Sequence, residues 1–244
     1  MYLAQHTGKG IRIAVIDSGV NAAHPHIVQP RGSDPRGGVS GGLAIRQDGS
    51  VSSDYVDRLG HGTAVTAAIR EKAPDAEIIA IKVFWASLAT DTATLVRAVD
   101  EAAARGAAVI NLSLGTTEQQ HRGDLRAAIA RATLRGTLVV AAADDDGRQW
   151  LPGSLDGVVP VRLDWTCARE AYRIVQMDGR AILAASGYPR DIPGVPRDRN
   201  LKGISFAVAN ASGFVARARE VTTDPSVASV LGTLEAAAGD PTPD

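Results

Sequence analysis

"IRIAVIDSG", residues 11–19, sets four apolar side chains side by side at 13–16 instead of alternating them with polar ones. A strand with one face in water alternates, so a continuous run of this length suits a strand covered on both faces, as in a parallel sheet layered with helices. The run ends in Asp17, and Ser18 and Gly19 then allow a sharp turn. The same kind of run recurs in "AEIIAIKVF" (76–84), "AAVINLSL" (107–114) and "TLVVAAA" (137–143). Helical spacing lies between them: 91–105 carries Leu95, Ala98, Val99 and Ala102 on one face, and 124–135 carries Leu125, Ala128, Ile129 and Ala132, with Gly136 placed as its stop. Strand and helix therefore alternate, which predicts an α/β chain with a mainly parallel sheet.

Further out, "GVVPVRLD" (157–164) and "YRIVQMDGRAILAASG" (172–187) read as strands, and "GYPRDIPGVPRDRN" (187–200) as a loop. A last helix starts near Ser205. Residues 31–53, rich in Gly, Ser and Asp, read as an extended surface connection. No repeat or linker divides the chain, so residues 1–235 are expected to form one domain and 236–244 a flexible tail.

Composition narrows the function classes. The 26 Lys and Arg balance 27 Asp and Glu, leaving a formal charge of -1 and no basic excess to attract nucleic acid or an anionic membrane. The single cysteine, Cys167, offers neither an intramolecular disulfide nor zinc spacing, and it reads as structural. No cofactor or metal motif is present. No run is long enough to span a bilayer and no leader pattern opens the chain, so the expectation is a cytoplasmic protein.

Polar groups at the carboxyl ends of parallel strands are where such folds place their chemistry. Asp17 closes the first run; His61 stands between glycines in "LGHGTAV"; Ser205 in "KGISFAVANASG" opens an apolar helix, whose N-terminus favours developing negative charge. Individually each has an ordinary structural reading, as a turn aspartate, a helix-start histidine and an N-cap. The other histidines, His6, His24, His26 and His121, have no comparable context.

The series Asp, His, Ser resembles the catalytic order of the subtilisin-like serine peptidases, the subtilases. "AVIDSGVNAAHPHI" is similar to the family's aspartate motif, "GHGTAV" to its histidine motif, and "GISFAVANASG" aligns without gaps on its serine motif. "INLSLG" (110–115) resembles the segment that pairs with substrate backbone, and "LPG" (151–153) a further landmark. The resemblance implies a three-layer fold with helices on both faces of the sheet. It also implies a peptidase in which Ser205 attacks the peptide carbonyl, His61 moves the proton and Asp17 orients the imidazole. Ser113, Leu114 and Gly115 would line the substrate cleft, adding the peptide as a strand. Its partner would be a peptide or protein substrate, with room for a regulatory partner protein.

The pattern breaks after the strand ending at Ala143. Where the family reads Gly-Asn-x-Gly, the aligned residues are Asp144, Asp145, Asp146 and Gly147, so Asp145 stands at the oxyanion position. An ionised carboxylate only accepts hydrogen bonds and repels the developing charge. Removing the equivalent donor from subtilisin costs about 10²–10³-fold in kcat, a measured magnitude for that enzyme. Asp144 aligns on a glycine of the first specificity pocket, which raises the expectation of a Lys or Arg before the scissile bond. Ile204 stands for the usual Thr, Ala209 and Asn210 for a Pro-His pair, and Ala64 for a second histidine. The calcium-binding loop common after the histidine helix is missing, and no inhibitory pro-segment precedes Met1 in this sequence. The leading expectation is a serine endopeptidase, slow or restricted in substrate. The alternatives are a pseudo-peptidase that binds peptides or partners, and a ligase working through the same acyl-enzyme.

Overall fold

A computed structural model describes residues 3–28, 38–145 and 147–238. In chain order the elements are β1 (Arg12–Asp17), β2 (Val39–Ile45), β3 (Val51–Ser52), α1 (His61–Lys72), β4 (Glu77–Lys82), α2 (Thr92–Ala104), β5 (Val109–Leu112), α3 (Arg122–Leu134), β6 (Leu138–Ala142), β7 (Asp144–Asp145), β8 (Arg148–Gln149), β9 (Val158–Leu163), β10 (Tyr172–Met177), β11 (Arg180–Ala185), α4 (Ile204–Val221) and α5 (Val227–Ala238). The nine-stranded sheet has the order β10-β11-β9-β6-β5-β1-β4-β2-β3, with β7 and β8 in a small ribbon of their own. From β11 across to β2 every pairing is parallel; only the outermost strands, β10 and β3, run antiparallel.

The continuous apolar runs are explained by what lies on each face. Ile13 and Val15 of β1 join the core under α1, α4 and α5, while Ala14 and Ile16 join the core under α2 and α3. Successive side chains of a strand point to opposite faces, so a strand buried on both sides needs an apolar residue at every position. The helix stripes read from the sequence are the buried ones: Leu95, Ala98, Val99 and Ala102 in α2, and Leu125, Ala128, Ile129 and Ala132 in α3. Asp91 caps α2 by accepting the Thr94 N–H at 2.7 Å, and Gly136 follows α3 with φ 74°. The hairpin β10–β11 turns through Asp178 and Gly179, both at positive φ, which suits the right-handed twist of the strands it joins.

Two departures from the sequence reading concern the chain's less apolar parts. Part of residues 31–53 is not a surface connection but β2 and β3, with β2 pairing in parallel with β4; residues 29–37 lie outside the described set. Of the two glycines that hide β2 from a pattern reading, Gly42 has a packing cause, because a Cβ there would come within 2.3 Å of the Ala80 carbonyl oxygen and 2.7 Å of the Tyr55 ring. Beyond α4 a second helix, α5, adds Val230, Leu231 and Leu234 to the core; its last residues, Ala236 to Ala238, belong to the stretch expected as tail, and 239–244 lie outside the described residues.

This topology fixes where a site can form. β1 pairs with β4 on one side and β5 on the other, so the connections leave β1 in opposite directions across the sheet. A crevice opens at the carboxyl ends of the strands at such a switch point. Asp17 ends β1 and Ser113 follows β5 there.

Candidate active site

Asp17 is fully buried at the end of β1, and His61 is the first residue of α1. His61 Nδ1 lies 2.8 Å from Asp17 Oδ1 and 3.0 Å from Oδ2. A carboxylate can only accept, so Nδ1 carries a proton, and in the neutral ring Nε2 keeps its lone pair. The imidazole packs against Phe206 with ring centroids 5.7 Å apart and is 13% exposed. Burial by itself lowers the His61 pKa, but the hydrogen bond and charge of Asp17, with a contribution from Asp57, outweigh it and the net shift is upward.

What brings α1 so close to β1 is a glycine and two tertiary caps. A Cβ on Gly62 would sit 2.2 Å from the Gly19 carbonyl oxygen and 3.2 Å from Asp17 Oδ1. The N-cap residue of α1, Gly60, has φ 84° and no side chain with which to cap. The free N–H groups of the first turn are met from elsewhere in the chain: Gly62 donates to Ser18 Oγ at 2.9 Å and Thr63 to Asp57 Oδ2 at 2.8 Å. Asp57 also accepts from Thr63 Oγ1 (2.6 Å), Ser18 Oγ, Leu59 N and Gly60 N (2.9 Å each). Burial raises the Asp57 pKa, and these hydrogen bonds from Thr63, Gly60 and Leu59 outweigh it and pull it below the ordinary range. Asp57 and Ser18 were missed by reading the sequence; the one signal for Asp57 is its place four residues before His61, just ahead of a helix start that lacks its own cap.

Ser205 is the second residue of α4, whose N-cap is Gly203. Its backbone N–H is therefore one of those without an acceptor inside the helix. Its hydroxyl donates to the Ser113 carbonyl oxygen at 3.2 Å, and Ser113 Oγ donates back to the Ser205 carbonyl oxygen at 3.1 Å. Asn111 Nδ2 donates to Ser113 Oγ at 2.9 Å, and Ser212 Oγ to Asn111 Oδ1 at 3.0 Å, so the segment after β5 is tied to α4 from below. In this arrangement the Ser205 hydroxyl is directed at Ser113 and makes no hydrogen bond to His61 among the described contacts.

His61, Ser113, Leu114, Gly115 and Ser205 nonetheless line one cavity of about 230 Å³. Its other walls are apolar or aromatic, contributed by Phe84, Leu88, Ala142, Trp150, Ile204 and Val208. Asp144 does not line it. The carboxylate of Asp144 lies 4.0 Å from Arg162 Nε, with Oδ1 buried and unpartnered among the described residues. The backbone of Asp145 pairs with Arg148 in the β7–β8 ribbon; the Asp145 side chain and all of Asp146 lie outside the described residues. Asn210 is buried and donates to the Ser186 and Tyr188 carbonyls at 2.9 and 3.1 Å, holding the start of the 187–200 loop. Cys167 is buried, with Sγ 3.4 Å from the Ala171 carbonyl oxygen. Among the described residues no cluster of His, Cys, Asp and Glu could hold a metal ion, and no helix is long and apolar enough to cross a membrane.

The Subtilase family, Peptidase_S8, matches residues 8–161, a span that contains Asp17, His61 and the 113–115 segment and stops short of Ser205. Subtilisin Savinase from Lederbergia lenta is 32% identical over 221 residues, covering 85% of this chain and 72% of its own length. Minor extracellular protease Epr from Bacillus subtilis (strain 168) is 35% identical over 150 residues, 58% of this chain and 21% of Epr. The chain spans about half or less of the length of several other curated relatives that it matches. Among solved structures, a cold adapted subtilisin-like serine proteinase superposes with a TM-score of 0.68 at 22% identity, covering 96% of this chain and 84% of that one. With the strand order and the helices on both faces, these likenesses establish a subtilisin-like α/β fold, and the chain belongs to the subtilase family.

Proposed function

We propose that the chain is a serine endopeptidase that hydrolyses peptide bonds through an acyl-enzyme on Ser205. The observation that carries this reading is the Asp17–His61 pair, with Nδ1 protonated toward the carboxylate, opening on the same cavity as Ser205. A peptide lying along Ser113 to Gly115 competes for the Ser113 backbone, and the Ser205 hydroxyl turns from Ser113 to His61 Nε2. His61 then takes the proton as Ser205 Oγ attacks the carbonyl carbon, and returns it to the leaving amine. Asp17 holds the ring and stabilises the imidazolium. The Ser205 N–H, at the positive end of α4, supplies one donor to the oxyanion. Asp145 stands at the position of the other and, when ionised, opposes it, so turnover is slow or confined to substrates that bind tightly. The apolar walls favour an apolar residue before the scissile bond; Asp144, turned toward Arg162, is a poor partner there for Lys or Arg.

A second reading is favoured by one observation, the Ser205 hydroxyl satisfied by Ser113: a pseudo-peptidase that keeps the cleft as a peptide- or partner-binding surface. Fluorophosphonate labelling with intact mass, from pH 5 to 9, on the wild type, Ser205→Ala and Asp145→Asn separates the two. Labelling lost in Ser205→Ala, with turnover raised in Asp145→Asn, supports the peptidase. No labelling in the wild type and no rescue in Asp145→Asn overturns it in favour of the binding module.

A further inference from the structure

The strand β4 ends in a buried charge. Ile78 and Ala80 point into the core under α1 and α4, and Ile79 and Ile81 into the core on the other face. Lys82, next on the α1 side, is only 1% exposed. It is the register partner of Asp17 on β1, so the polar residues that close these two strands stand side by side on the face that α1 covers.

An ammonium group taken out of water is costly unless a partner offsets the loss. Among the described residues no carboxylate is in contact with Lys82. Its Nζ donates to the Val56 carbonyl oxygen at 2.7 Å and lies 4.7 Å from the centroid of the Trp85 ring. Trp85 is held in turn, with Nε1 donating to the Ile45 carbonyl oxygen at 3.1 Å and the Arg46 guanidinium 3.5 Å from the ring centroid. Burial, with Arg58 and Arg46, lowers the Lys82 pKa against the opposing charges of Asp54 and Asp57. An apolar side chain in the same place would carry no such cost.

What the ammonium secures is the segment that caps α1. Val56 immediately precedes Asp57, on which five hydrogen bonds from Ser18, Leu59, Gly60 and Thr63 converge. Residues 54–60 form neither helix nor strand, and Val56 is half-exposed, so packing does little to fix them. Two consecutive carbonyls tie this backbone down: that of Tyr55 accepts the Val20 N–H at 2.8 Å, and that of Val56 accepts Lys82 Nζ. The second bond is charge-assisted and the stronger kind. Asp57 grips the first turn of α1, and His61 is the first residue of that helix. We infer that Lys82 is a positioning residue for His61: its buried ammonium fixes the Val56–Asp57 peptide from the end of β4, and Asp57 fixes the start of α1 beside Asp17. The link to catalysis rests on the peptidase reading; the hold on Asp57 rests on the contacts alone.

Lys82→Met keeps the length of the side chain and removes its charge. Because an apolar group replaces a buried charge, the Tm of Ser205→Ala/Lys82→Met is expected within about 4 °C of that of Ser205→Ala. Amide hydrogen exchange on the same two proteins, read by NMR, should nonetheless show the protection of Leu59, Gly60 and Thr63 falling about tenfold, the scale of one hydrogen bond to a charged group. Protection in β5 and β6 should not change. With Ser205 restored, and at a temperature where both proteins are fully folded, fluorophosphonate labelling should slow about tenfold in Lys82→Met. Adding Lys82→Met to Asp57→Asn should cost less than about threefold more, because the two residues act in series. Unchanged protection at Leu59, Gly60 and Thr63 overturns the inference, as does a labelling loss in Lys82→Met that simply adds to that of Asp57→Asn. So does labelling within about twofold of a wild type that labels. No labelling of the wild type, with protection still lost in Lys82→Met, removes the peptidase reading and leaves Lys82 as the anchor of Asp57.

Discussion

Asp57→Asn converts one carboxylate oxygen into a donor at a point where five donors converge. If the amide keeps its oxygen on the side of Ser18, Leu59 and Gly60, the new NH₂ faces the Thr63 N–H and hydroxyl. Flipping it only moves the conflict to the Leu59 and Gly60 N–H groups. Thr63 is 6% exposed, so water cannot substitute freely for the lost acceptor. An orphaned buried Thr63 N–H costs about 1–3 kcal/mol, and the loss of charge from the bonds that remain adds about 1 kcal/mol, so roughly 2–4 kcal/mol is expected. In a domain of this size that corresponds to a fall in Tm of about 4–16 °C. The pH dependence carries a sign. The folded pKa of Asp57 lies below its unfolded value, so its stabilisation is complete above the unfolded value of about 4 and is lost as pH falls through the folded pKa. Thermal unfolding at pH 7, and urea unfolding at pH 7, 5 and 3, of Ser205→Ala and Ser205→Ala/Asp57→Asn measure the two effects, with the serine replaced to prevent self-digestion. A Tm difference below 1 °C at pH 7, or a difference in unfolding free energy that grows as the pH is lowered, would refute the account of Asp57 as the tertiary cap of α1.

Gly62→Ala should separate Asp17 from His61, because its Cβ would meet the Gly19 backbone oxygen at 2.2 Å; fluorophosphonate labelling of Ser205 should fall at least tenfold, and wild-type labelling in this variant would show that the contact yields cheaply. The upward pKa shift of His61 predicts that the labelling rate rises with pH through an inflection above 6.5, since only neutral imidazole acts as base; an inflection below that value contradicts the Asp17 contribution. Asp145→Asn should raise peptide turnover by about 10–10³-fold by restoring a donor, and a rate that does not change places the oxyanion elsewhere. Asn210→Ala removes the bonds to the Ser186 and Tyr188 carbonyls and should lower stability by about 1–3 kcal/mol, measured by urea unfolding in the Ser205→Ala background.

The sequence by itself determined the parts of this protein that are local or periodic. Runs without alternation, such as Ile13 to Ile16, identify strands buried on both faces, because neighbouring residues must then satisfy two cores at once. The stripes of α2 and α3 and their end signals, Asp91 and Gly136, were legible for the same reason: helical spacing and capping act within a few residues. So was the order of Asp17, His61 and Ser205, each at the end of an element. Tertiary structure alone decided the rest. β2 escaped notice in part because Gly42 is required by the Ala80 backbone beside it, a neighbour 38 residues away. Asp57 and Ser18 became part of the site because α1 lacks a cap of its own and draws its hydrogen-bond acceptors from residues that folding brings to it. The direction of the Ser205 hydroxyl, toward Ser113 across 92 residues, and of Asp144, toward Arg162, depends on which acceptor or cation lies nearest once the strands are assembled. Periodicity records which face of an element is buried; the partner of a polar atom is a matter of ångströms between distant segments, which no local pattern encodes.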